Sequence, residues 1–94
     1  MGAGDESRTA RALLRATLYT GTGCCLCEEL KVQLALLARE IDFELEVVDI
    51  TGSAELEARY RAELPVLYLN GRKAVKYRIT TEALREKLRR AFRG

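Results

Sequence analysis

The chain has 94 residues, which allows one domain, since domains typically run ~100–150 residues. Apolar residues make up 48% of it and charged residues 32%. That is too apolar for intrinsic disorder, yet no run approaches the ~18–20 apolar residues of a membrane span. Histidine and tryptophan are absent, which excludes a His-liganded zinc site, a His general base and a Ser-His-Asp triad.

The formal net charge of +2 hides an asymmetry: residues 28–63 carry ten acids against four bases, and residues 72–94 nine bases against two acids. A basic end can attract nucleic acid or an anionic membrane. Here no aromatic residues interleave with the basic ones and no nucleic-acid motif is present. The expectation is a solvated last helix whose basic end suits its own dipole, with neither a nucleic-acid nor a membrane partner.

Residues 1–11 are rich in glycine and charge and are expected to form a frayed tail, with one domain over residues 12–94. This segment lacks the apolar stretch of a signal peptide. It also lacks the myristoylation pattern, because Glu6 stands where Ser or Thr is required. The run from Leu13 to Tyr19 reads as a first strand, and Thr20-Gly21-Thr22-Gly23 as a glycine-hinged loop. A helix follows, with Leu30, Leu34, Leu37 and Ile41 at i, i+4, i+7 and i+11 along one face. Phe43, Leu45 and Val47 alternate with Glu44, Glu46 and Val48 in a second strand. Ser53 is an N-cap for a helix over residues 53–63. Pro65 to Leu69 is a third strand, Asn70-Gly71 a two-residue hairpin signal, and Lys73–Ile79 a fourth strand. Thr80 or Thr81 caps a last helix with the apolar stripe Leu84, Leu88 and Ala91 or Phe92. The order β-α-β-α-β-β-α predicts an α/β fold. Its strand–helix–strand start demands a parallel pair, and its hairpin adds an antiparallel one. The result is a four-stranded mixed sheet covered by helices on both faces.

All three cysteines, Cys24, Cys25 and Cys27, fall within four residues. That clustering suits cysteine chemistry in a reducing, cytoplasmic compartment better than a secreted disulfide scaffold. Cys24 and Cys27 form a C-x-x-C after a strand and at the start of a helix. Residues i and i+3 of a helix share a face with Cβ atoms ~5–6 Å apart, close to disulfide range. At a helix N-terminus, free N–H groups and the dipole favour a thiolate. Glu28 and Glu29, in the first turn, oppose that charge, so only moderate acidification of Cys24 is expected. At ~100° per residue Cys25 points away from the other two sulfurs; it is either a bystander or a third redox participant. Zinc needs about four ligands. Three thiols without an imidazole would require Glu28, or a second subunit, to complete a metal or iron–sulfur site, so no metal site is expected.

In this arrangement the chain resembles a small glutaredoxin-like protein of the thioredoxin superfamily, over roughly residues 14–92. The features that carry the likeness are the strand–loop–C-x-x-C–helix opening, Leu64-Pro65-Val66 entering the third strand, the Asn70-Gly71 hairpin and the closing helix. The segment Gly23-Cys24-Cys25-Leu26-Cys27-Glu28 is similar to the G-C-x-L-C-E form of one glutaredoxin-like branch. The resemblance implies a thioredoxin-like fold and thiol–disulfide oxidoreductase activity in redox homeostasis and electron transport. Cys24 would be the nucleophile and Cys27 the resolving cysteine. Pro65 would be a cis-proline facing them, and Leu64 would offer its main chain to the substrate. It implies a monomer with no bound cofactor, taking electrons from glutathione or a thioredoxin-reductase-type system and acting on disulfide-containing proteins or small thiols. The chain departs from common glutaredoxins in three places. It has C-C-L-C for C-P-Y-C, no lysine shortly before the first cysteine, and Val75-Lys76-Tyr77-Arg78 where a Gly-Gly pair is sought. The alternatives to an oxidoreductase are a metal or iron–sulfur carrier using the same thiols, and a non-catalytic adaptor of the same fold.

Overall fold

The computed structural model describes residues 14–93; the tail expected over residues 1–11 lies outside them. The elements follow the expected order. They are β1 (Arg15–Thr20), α1 (Cys25–Leu37), β2 (Glu44–Asp49), α2 (Ala54–Tyr60), β3 (Val66–Leu69), β4 (Arg72–Lys76) and α3 (Thr81–Arg93). The sheet order is β2-β1-β3-β4. β1 runs parallel to β2, with Leu18 opposite Val47, and antiparallel to β3, with Leu18 opposite Leu67. β3 and β4 form the expected antiparallel hairpin. Its turn residues Asn70 and Gly71 take φ of 52° and 83°, the positive pair that a type I′ turn requires.

Alternation along the strands divides the core in two. Ala16, Leu18, Leu67, Leu69 and Val75 point to one face, where Leu30, Leu34 and Leu37 of α1 and Leu84 and Leu88 of α3 cover them. Tyr19, Val66 and Tyr68 point to the other, where Leu56 and Tyr60 of α2 meet them. Each fully buried leucine contributes roughly 1.5–3 kcal/mol through apolar area removed from water. Tyr19 stacks on Tyr60 with ring centroids 4.2 Å apart, and both meet Tyr68 edge-on.

Capping follows the sequence. Ser53 Oγ accepts from Leu56 N–H and Thr80 Oγ1 accepts from Ala83 N–H, each satisfying a free donor of its helix. Three boundaries differ from expectation. The first helix ends at Leu37, so Ile41, expected on its apolar stripe, lies beyond it yet is buried. The helix expected over residues 53–63 closes at Tyr60 and tightens into a 3₁₀ turn, Arg61–Glu63. This is the usual way to finish a helix whose next residues must extend into an X-Pro bond. The fourth strand stops at Lys76 rather than Ile79, because Tyr77 has φ of 70° and leaves the extended region. Leu45 and Val47 are 40% and 45% exposed despite their alternation, since β2 pairs on one side only and lies at the sheet edge.

Candidate functional site

β1 delivers the chain through Thr20-Gly21-Thr22-Gly23 to the first turn of α1, and both cysteines of the C-x-x-C are held there. Cys24 is the N-cap of α1: its Sγ accepts from the backbone N–H of Cys27 at 3.1 Å. Cys24 and Cys27 are joined as a disulfide with a Cα–Cα separation of 5.2 Å. Cys27 is buried, Cys24 partly so, and Cys25 is a free, exposed thiol. The expectation that Cys25 diverges from its neighbours' sulfurs therefore holds.

Leu64 and Pro65 approach from the other side. The Leu64–Pro65 peptide is cis. Pro65 is buried, and Leu64, 8% exposed, shares a cluster with Cys27, Val66 and the partly buried Cys24. Of the four residues singled out in the sequence, Cys24, Cys27 and Leu64 thus share one cluster and Pro65 is the chain neighbour of Leu64, although 36 residues lie between Cys27 and Leu64. At Gly21 the two segments lie close: a Cβ built there would stand 2.7 Å from Leu64 Cδ1 and 3.1 Å from Arg61 Nη1, so a larger residue would push on the ends of those two side chains.

Several contributors carry no mark in the sequence. Thr51, after β2, accepts the backbone N–H of Thr22 at 3.0 Å and shares a second hydrogen bond between hydroxyls, also 3.0 Å. It thereby pins the loop that presents Cys24. Asp49 accepts from Thr51 N–H at 2.9 Å. That backbone hydrogen bond, with the Thr51 hydroxyl and the nearby Lys31 and Arg61 charges, holds the Asp49 carboxyl below the usual carboxylate range. A cleft of about 360 Å³ opens between these groups and the sulfurs, lined by Thr20, Thr22, Cys24, Cys25, Lys31 and Asp49 among others. Lys31, the nearest lysine after the motif, is 3.2 Å from Glu28, so its charge is partly neutralised by the acid beside the sulfurs.

Beside Pro65, Tyr77 N–H donates to Pro65 O at 3.0 Å, and Arg78 pairs with Glu29 of α1 at 3.2 Å. Tyr77 occupies the place where a glycine pair is sought in glutaredoxins. Its φ of 70° shows that the backbone keeps a left-handed turn there while a bulky side chain bears the cost, on the order of 1–3 kcal/mol.

The chain matches the glutaredoxin-like domain family (Glrx-like, DUF836) over residues 15–89. It belongs to that family. Among relatives of this glutaredoxin-like chain, the uncharacterized protein Rv0508 of Mycobacterium tuberculosis is 32% identical over 82 residues, covering 82% of this chain and 84% of its own. Two solved structures are similar at the level of both fold and sequence. XcR50 from X. campestris has a TM-score of 0.68 and 32% identity, covering 80% of this chain and 96% of its own. Ne2328 from Nitrosomonas europaea has a TM-score of 0.66 and 30% identity, covering 80% and 91%. Thioredoxin from Fasciola hepatica superposes at a TM-score of 0.60 with 23% identity, covering 96% of this chain and 93% of its own, a likeness of fold. The glutaredoxin-like chain is therefore a small thioredoxin-superfamily protein with an α/β thioredoxin-like fold. Family and paired cysteines together support a thiol-redox role. Among the described residues no group of three or more His, Cys, Asp or Glu side chains is arranged to hold a metal ion. No helix among them is long and apolar enough to cross a membrane.

Proposed function

We propose that the protein is a thiol–disulfide oxidoreductase working through Cys24 and Cys27. The observation that carries this reading is the Cys24–Cys27 disulfide at the N-terminus of α1, packed against the cis Leu64–Pro65 loop. Cys24 is the more accessible of the two sulfurs and receives the helix dipole and the Cys27 N–H, both of which favour a thiolate. In the reduced protein the Cys24 thiolate attacks one sulfur of a substrate disulfide. A Cys24–substrate S–S bond forms as the substrate's S–S bond breaks, and the expelled thiolate takes up a proton. Cys27 then loses its proton and attacks the Cys24 sulfur, expelling the second substrate thiolate, which is protonated in turn. Two electrons and two protons have passed to the substrate, and the protein is left as the disulfide. Its return to the dithiol takes two electrons from two thiols, such as two glutathione molecules, or from a dithiol reductase. Leu64 and Pro65 form the surface on which the substrate's cysteine lies.

The test is equilibration of the purified protein in graded thiol/disulfide buffers, with the linked cysteines mapped by mass spectrometry. A reversible Cys24–Cys27 disulfide is expected. Cys27→Ser should accumulate a mixed disulfide on Cys24, and Cys24→Ser should abolish exchange. Absence of any reversible disulfide across the whole range of poise would overturn the assignment.

A further inference from the structure

Tyr77 combines two features that packing alone does not account for. Its backbone sits at φ 70°, where an L-residue with a β-carbon is strained and glycine is not. Asn70, the other described non-glycine residue at positive φ, belongs to a type that tolerates this region; tyrosine does not. Tyr77 is only half buried, at 48% exposed, and belongs to neither core cluster. The Lys76 amine stands 5.5 Å from the ring centroid, on a side chain that is itself exposed. Both flanks of the residue are tied to the disulfide's surroundings. Its own N–H holds Pro65 O, next to the Leu64 that packs with the cysteines. Arg78 holds Glu29, two residues beyond Cys27. The backbone of Tyr77 is thus tied beside Pro65, its side chain is half exposed, and a cation stands beside its ring.

We infer that Tyr77 is a specificity-determining residue, an aromatic platform against which the polypeptide flanking a target disulfide lies. The inference rests on the oxidoreductase reading above and names its substrate class: disulfides within a polypeptide, with an apolar or aromatic side chain near the reacting cysteine and a carboxylate for Lys76. An exposed aromatic ring offers contact area at small cost in side-chain entropy, and the contact it makes is with a group outside this chain. A disulfide without flanking chain has nothing to place there.

The experiment is single-turnover oxidation of the reduced protein by two probes, insulin as a polypeptide disulfide and bis(2-hydroxyethyl) disulfide as one with no flanking chain. The readout is the ratio of the two second-order rate constants. Tyr77→Gly should lower the insulin-to-small-disulfide ratio about tenfold, and Tyr77→Phe, which keeps the ring, should restore it. Because glycine relieves the strained φ, Tyr77→Gly should also melt no lower than the parent protein. An unchanged ratio, or a Tyr77→Gly protein that melts lower and slows equally with both probes, would overturn the inference and leave the oxidoreductase intact. A parent protein oxidised by neither probe would overturn both.

Discussion

Cys24 is at once the residue that caps α1 and the residue proposed to carry the chemistry, so whatever fixes its loop also fixes its reactivity. The Cys27 N–H that completes the cap is the donor that would meet a thiolate, and a charge-assisted hydrogen bond of that kind is roughly twice as strong as a neutral one. Thr51 holds the loop from outside through Thr22. Thr51→Val keeps the shape and removes both hydrogen bonds. It should cost about 1 kcal/mol of stability, the low end for two exposed bonds. It should also change the pH profile of Cys24 alkylation by iodoacetamide, because the cap geometry loosens; Thr51→Ser should restore both. A normal profile in Thr51→Val would show that Thr22 needs no tether. The Cys24 and Cys27 pair was legible in residue type and spacing, whereas Pro65 was marked only by the resemblance to glutaredoxin-like proteins. Thr51 was marked by neither. A threonine 29 residues from its partner looks like any other surface threonine until the fold brings the two together.

At the level of elements, α3 is fastened to the end of α1 by Glu40, which accepts from Arg85 at 3.0 and 3.2 Å and lies 3.6 Å from Arg89. The Arg85 hydrogen bond, aided by the Arg85 and Arg89 charges, holds the Glu40 carboxyl below the usual range. Glu57 beside Arg61 and Glu63 beside Lys73 are lowered in the same way. A carboxyl depressed in the folded state binds its proton more readily when unfolded, so its contribution is complete above the ordinary glutamate range. It is lost as pH falls through the folded value. The melting temperature should therefore be level above about pH 5 and decline below it. Glu40→Gln should melt lower than the parent at neutral pH, and the two curves should converge in acid, as thermal melts followed by circular dichroism across pH would show. Parallel curves at every pH would mean that the pair contributes nothing. Apolar periodicity located α1 and α3, and the Asn70-Gly71 pair located the hairpin, because those signals are local. The exposure of β2 and the early end of β4 depend on which strand lies at the edge and on the turn at Tyr77, and neither is encoded within the strands themselves.

For the whole molecule, the two faces of one sheet keep separate tasks. The face under α1 and α3 holds most of the buried leucines, while the face under α2 holds Tyr19, Tyr60 and Tyr68, with Leu64 and the buried Cys27. Leu67 lies in β3, an inner strand, fully buried among the first set. Leu67→Ala should cost about 2–5 kcal/mol through lost transfer energy and the cavity left behind, a large share of the ~5–15 kcal/mol typical of a folded protein. Urea denaturation would measure it, and a loss below about 1 kcal/mol would mean that the core closes over the gap.

By itself the sequence determined the order of elements, the apolar stripes and the placement of a dithiol at a helix start. Each of these follows from residue type and from the 3.6- and 2-residue periods of local backbone geometry. The tertiary structure decided the rest: the clustering of Leu64 with the cysteines, the Thr22–Thr51 tether, the edge position of β2 and the strained tyrosine beside Pro65. All of these are relations between residues far apart in the chain. They arise only when burial of the two apolar faces has fixed how the strands lie beside one another.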